Sequence, residues 1–516
     1  MTRDGARAGA LLLGLALCAQ PLAAAEPRSA IPWLSESIVL IAAPPPARGG
    51  ATPPAAGDPD AITVTPLGEV SRDAVGLLAP AATGFARNLW GPATAPEVRD
   101  LILEDGGAGV PEAIALFKRL MLAEADPPEG SDAGSTVLVA RVDRLLEMGA
   151  LDEANAMIGV AGPDSAELYR RWFDIGLLLD QAKPPCQALR ENPTLSPTLP
   201  ARVFCLARGG DWSAAEITLT LGKGVGSITP EQERLLARFL DPDLFEGEED
   251  PPVPDPLTPL DFLLREAVGL PRPPGALPLA FLRGDLGEHV PMRTRVEAAE
   301  RLWLSGALDH GELFAAYRSG APAASGGVWD RAKAAQDLDT ALGTGADIGP
   351  ALAVADAAFS ARGLRVALAR EYGGRLAALP PTAGTRETLV ELLLLAGDIR
   401  AARSAAGPRP EARTAALLAI AGDGALPASA DDDRLRAAIE GLRIRTPSDE
   451  REQRLASDVA EGRQGEAVLA ALELVTQGAA VDPPALRAAL FTLREAGQAP
   501  AARAIALQTL LPGDAG

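Results

Sequence analysis

Histidine moves protons and holds zinc near neutral pH, and this chain carries only two, His289 and His310. Neither belongs to a His-x-x-x-His or His-Glu-x-x-His pair, the spacing that sets two ligands on one helix face. His310 lies in the turn after Gly306 and reads as a helix-end residue. Gly222-Lys223-Gly224-Val225-Gly226-Ser227 has the composition of a phosphate loop. Ile217 stands where such a loop needs its first glycine, however, and no strand precedes it. The segment reads as a loop between helices, with Thr229-Pro230-Glu231 opening the second. Asp431-Asp432-Asp433 lacks the glycine turn and distal Glu of a calcium loop and suits the positive end of a helix. The acid pairs Glu297/Glu300 and Glu248/Glu249 carry the groups of a glycosidase, but nothing in the sequence sets them across a sugar. No catalytic residue, cofactor or metal is expected.

Two constellations remain. Cys186 and Cys205, 19 residues apart, flank a Pro-rich link from Glu191 to Pro200 and are expected to form a disulfide. Closing a loop of that size contributes ~3 kcal/mol. The second runs from Ser319 to Arg331 and ends in Ser325-Gly326-Gly327-Val328-Trp329-Asp330-Arg331. The small residues let another backbone approach. Trp329, Asp330 and Arg331 offer a stacking face, an acceptor and a guanidinium fork at the start of a helix. Such a place suits a peptide carboxylate or a cell-wall fragment. The plainer alternative is a helix start with Trp329 packed on Leu313 and Tyr317.

The elements that must position these residues are helices. Apolar residues recur at helical spacing from Val98 onward, and alternating β-branched stretches are rare. A corner recurs as well, Leu-x-x-x-Gly with Ala five residues later: Leu145/Gly149/Ala154, Leu206/Gly210/Ala215, Leu393/Gly397/Ala402 and Leu493/Gly497/Ala502. Leu ends the buried face of one helix, Gly takes the positive φ that terminates it, and Ala lets the next helix pack closely. Gly462 with Ala467, and Leu302 with Gly306, match in part. These corners, as in Leu145-Leu-Glu-Met-Gly-Ala-Leu-Asp-Glu-Ala154, resemble the hairpin turn of tetratricopeptide-like repeats. The resemblance implies an all-α fold, an irregular α-α hairpin solenoid that binds other proteins. It covers the corners alone, so no groove residue carries over from it.

The ends and the composition frame this body. Arg3 and Arg7, the apolar run Ala8 to Leu17 and Ala23-Ala24-Ala25 form an export signal over 1–25. Its apolar core is shorter than the ~20 residues of a membrane span. Residues 26–85 read as an extended Pro/Ala-rich arm containing one apolar island, Ala30-Ile31-Pro32-Trp33-Leu34-Ser35-Glu36-Ser37-Ile38. Trp33 and Leu34 suit either a docking peptide for a partner or a strap on the protein's own helices. A first helical domain is expected over 86–245 and an acidic Pro-rich linker over 246–256. A second helical-repeat domain then fills 257–516.

The chain has a formal charge of −21, which disfavours nucleic acid and anionic lipid. Its only lysines are Lys118, Lys183, Lys223 and Lys333, and with abundant Ala, Gly and Pro this matches the coding bias of a GC-rich bacterium. The expectation is a periplasmic or secreted adaptor for an envelope assembly, such as cell-wall synthesis or the flagellar motor. A peptidoglycan- or glycan-acting enzyme or binding protein is the alternative.

Overall fold

The computed structural model describes residues 71–104, 109–131, 135–195, 198–323, 325–345, 347–422 and 424–511. The signal, most of the arm, and Trp33 and Leu34 with it, lie outside the described residues. Every regular element among those described is helical. Two isolated bridges, Leu78 with Ala123 and Thr94 with Glu129, add local pairing. The helices are α1 Pro80–Thr83, α2 Ala95–Leu103, α3 Pro111–Met121, α4 Thr136–Met148, α5 Leu151–Ala161, α6 Ala166–Leu178, α7 Lys183–Glu191 and α8 Leu199–Arg208. There follow α9 Trp212–Gly224, α10 Pro230–Leu240, α11 Pro259–Ala267, α12 Met292–Leu304, α13 His310–Tyr317, α14 Val328–Thr344, α15 Gly349–Ser360 and α16 Arg365–Leu376. The last are α17 Arg386–Leu395, α18 Ile399–Ala406, α19 Ala412–Ala421, α20 Asp433–Arg443, α21 Glu450–Ala460, α22 Gln464–Glu473, α23 Pro483–Glu495 and α24 Ala499–Leu510. No helix among the described residues is long and apolar enough to cross a membrane.

The four full corners close in one way. Gly149, Gly210, Gly397 and Gly497 have φ of 80°, 85°, 82° and 81°. The residue after each glycine donates its N–H to the carbonyl of the corner leucine. The distances are 2.8 Å for Ala150 to Leu145, 3.0 Å for Asp211 to Leu206, 2.9 Å for Asp398 to Leu393 and 2.8 Å for Gln498 to Leu493. This six-to-one bond satisfies a carbonyl left open at the helix end and turns the chain into the next helix. At Gly462 the same bond runs from Arg463 to the carbonyl of Asp458, 2.8 Å, because the corner uses the backbone and not the leucine side chain. Ala154, Ala215, Ala402 and Ala502 are fully buried on the following helices.

The stretch 71–85, expected to be part of an extended arm, is packed. Asp73 Oδ1 accepts the N–H groups of Val137 (2.9 Å) and Leu138 (2.8 Å), so it caps α4 from outside the helix. Arg141, fully buried, donates to the carbonyls of Met121, Val75 and Ala123, each at 2.7 Å. Burial lowers the Arg141 guanidinium to about 10, with Asp73 opposing. Three buried carbonyls and one guanidinium thereby satisfy each other and fasten the segment down.

Buried apolar side chains sort into two cores. The larger draws on residues 85–175 and 257–511, and the smaller on 169–264, so the two interleave along α6. Helix α6 serves both, giving Leu168 and Ile175 to the larger and Tyr169, Phe173 and Leu177 to the smaller. The Cys186–Cys205 disulfide joins α7 to α8 inside the smaller core. Segments far apart in sequence also meet. Helix α24 packs on α3, α17, α19, α20 and α23. Glu112 N–H donates to Gln508 Oε1 at 2.8 Å, and Ala86 N–H to Gln464 Oε1 at 2.9 Å.

Where the two cores meet, α6 buries a carboxylate. Asp174 is 1% exposed, with Arg170 Nε 2.9 Å from its Oδ2. Burial, against the pull of Arg170 and Arg171 and helped by Asp261, raises Asp174 to about 7. An unfolded Asp loses its proton near 4. Between about 4 and 7 the native state therefore holds a proton that the unfolded state has released, and stability falls as pH rises. Asp174→Asn is expected to gain stability relative to wild type as pH goes from 5 to 8, measured by urea denaturation. A gain confined to low pH contradicts this.

Candidate functional site

The loop 325–327 and the first turn of α14 form one wall of a cleft of about 880 Å³. Gly326 and Gly327 have φ of 93° and 58°, a pair of conformations that side-chain-bearing residues adopt at a cost. An added Cβ at either meets no described atom within 4 Å, so the space above them is open. Gly327 precedes α14 without a side chain to cap it, and the positive end of a 17-residue helix faces the cleft. Asp330 turns back, its Oδ1 accepting the Gly326 N–H at 2.9 Å, and does not line the cleft. Trp329 is half-buried, packing on the larger core with one side and lining the cleft with the other. Ser325, Gly326, Gly327, Trp329 and Arg331 therefore share one concave surface, and Asp330 holds its loop.

Helix α12 is the opposite wall. Arg293, Glu297 and Arg301 recur every four residues and so lie along one face of it. With Arg272, Arg331 and Arg362, five arginines line the cleft against three carboxylates, Asp285, Glu297 and Glu300. Most are matched. Arg272 donates twice to Asp285, at 2.6 and 2.5 Å, and Arg293 once to Glu297 at 2.9 Å. Glu300 is 2% exposed and is fully used. It accepts Arg331 Nε at 2.7 Å, Arg331 Nη2 at 2.8 Å and the Tyr317 hydroxyl at 2.7 Å, with Arg362 Nε 3.5 Å away. Burial beside Glu300 pushes the Tyr317 hydroxyl well above its ordinary value. The fork that the sequence offered at Arg331 is thus closed on an internal partner.

Arg301 differs. Its Nη2 donates to the Leu277 carbonyl at 2.8 Å, and among the described residues it alone of the five makes no ion pair. Burial, then the nearby Arg362 and Arg272, holds its guanidinium below the usual arginine value, with Asp285 opposing. A cationic hollow on a chain of formal charge −21 is a place for an anion. The sequence reading missed Arg272, Arg293, Arg301 and Arg362. The four-residue spacing on α12 was the only signal available, because the fold alone brings the other two there.

The remaining candidates have structural partners. His310 begins α13 and its Nδ1 lies 3.1 Å from Glu371 Oε2. Lys223 pairs with Glu233, and Thr229 caps α10 through the Gln232 N–H at 3.2 Å. Asp432 caps α20 through the Leu435 N–H at 2.7 Å, while Asp433 pairs with Arg436 at 2.7 Å. No group of His, Cys, Asp and Glu able to hold a metal occurs among the described residues. Comparison with known protein families, with characterised proteins and with solved structures finds no match.

The pairing of Arg331 with Glu300 yields a sharp test of the cleft's frame. Arg331→Met leaves Glu300 buried with too few donors and is expected to lower unfolding stability by about 3 to 5 kcal/mol. Adding Glu300→Gln should restore most of that loss in urea denaturation. Equal stability of the single and double variants contradicts the assignment.

Proposed function

We propose that this chain is an exported adaptor or scaffold of the bacterial cell envelope, without enzymatic activity. In this reading its irregular stack of α-hairpins seats a segment of a partner protein in the cleft between α12 and the start of α14. The observation that carries the reading is the cationic lining of that cleft on a strongly acidic protein, with Arg301 lacking an acid partner among the described residues. A volume near 880 Å³ suits a few residues of an extended chain. The glycine corners support a hairpin-by-hairpin path, the architecture of many protein-binding surfaces. The Cys186–Cys205 disulfide fits an oxidising compartment, as does the export signal read from residues 1–25. Cell-wall synthesis and the flagellar motor are assemblies that employ such parts, by analogy of architecture and compartment.

The test is a crosslinking pull-down of the mature protein from its own periplasm, comparing wild type with Trp329→Ala and Trp33→Ala. A defined protein recovered by wild type and lost with Trp329→Ala is the expected result. Recovery of glycan alone, or one unchanged set of proteins with all three, overturns the adaptor reading at this cleft.

A further inference from the structure

We infer that the cleft receives a free carboxylate carried beside an apolar side chain, the C-terminal end of a peptide, with Arg301 as its charge partner; the inference rests on the adaptor reading for the source of that peptide. Four of the five arginines are already matched to Asp285, Glu297 or Glu300. The remaining one, Arg301, is half-buried, donates to a neutral carbonyl, and has Arg362 and Arg272 beside it. An incoming anion relieves that like-charge crowding and gains charge-assisted hydrogen bonds.

The lining selects among anions. Leu277, Leu282 and Trp329 make part of the wall apolar, so a bare ion leaves that surface without a partner. Three carboxylates share the lining, so a planar, singly charged group lying along one guanidinium meets less repulsion than a phosphate dianion. The open space over Gly326 and Gly327, at the positive end of α14, leaves room for the ligand's own backbone. Capture of a chain-terminal carboxylate by backbone and arginine is an established mode of peptide recognition.

The experiment is calorimetric titration of the purified mature protein at low salt with N-acetyl-Ala-Ala-Leu as the free acid. The same peptide as its amide and inorganic phosphate are the other arms. The acid is expected to bind at least about tenfold more tightly than the amide, since the charge-assisted bonds are lost with the carboxylate. Arg301→Gln keeps a donor for the Leu277 carbonyl and is expected to reduce binding of the acid to the level of the amide. Glu297→Gln, at a half-exposed rim position where a misfolding cost is small, is expected to tighten the acid by about threefold. Equal binding of acid and amide, no binding of the acid at millimolar concentration, an unaffected Arg301→Gln variant, or tighter binding of phosphate each overturns the inference. A positive titration beside a pull-down without a protein partner removes the adaptor reading and leaves the site. A partner lost with Trp329→Ala beside a failed titration does the reverse.

Discussion

Burial of the last helix, α24, sets the geometry of most of this molecule. Ala501, Ala502, Ile505, Ala506, Leu507 and Leu510 are in the larger core, where α24 meets α3 on one side and α17, α19 and α20 on others. Its closing carbonyls are taken by cations. Arg413 Nη2 donates to Leu510 at 3.1 Å and Arg365 Nη1 reaches Leu511 at 3.5 Å. Arginine there both satisfies orphan acceptors and matches the negative end of the helix. Because α24 touches α3 near the start of the described chain and α23 near its end, one helix of twelve residues ties together segments far apart in sequence. The cleft is held within the same frame. Helix α12 packs on the 3₁₀ turn Leu279–Leu286, which in turn lies on α4, and Ser305 Oγ donates to the Met148 carbonyl at 2.7 Å.

Arginine does structural work throughout, and this is why the cleft stands out. Arg141 gathers three carbonyls, Arg171 forks onto Asp143 at 2.5 and 2.8 Å, and Arg365 bridges Asp356 and Glu391. Each is buried, and a planar guanidinium with several donors suits such sites better than an ammonium would. Among the five arginines of the cleft, half-buried Arg301 is the one held by a single neutral acceptor among the described residues.

Local signals in the sequence were legible and non-local ones were not. The glycine corners, the start of α10 at Thr229 and the cysteine pair each depend on residues within about twenty positions of one another. Short-range geometry writes itself into residue type at such distances. The same reasoning limits what the corners say about kinship, since their closing bond uses main-chain atoms and any protein can employ it. The cleft was half legible. Ser325 to Arg331 read as a surface loop before a helix, but the closure of Arg331 on Glu300 needs a fold that brings α12 against α14. Arg272 and Arg362 carry no sequence mark at all. The packed stretch 71–85 was hidden for a similar reason. Its hold comes from Arg141, some seventy residues on, and its own Pro and Ala content reads as an arm.

The central claim is that a cationic cleft set between α12 and α14 is where this protein meets its partner. Hydrogen–deuterium exchange of the intact protein, with and without N-acetyl-Ala-Ala-Leu acid, tests it most directly. The account predicts slowed exchange confined to the segments around 293–301 and 325–331, and loss of that protection in Arg301→Gln. Protection elsewhere, or unchanged exchange at both segments under saturating peptide, contradicts it.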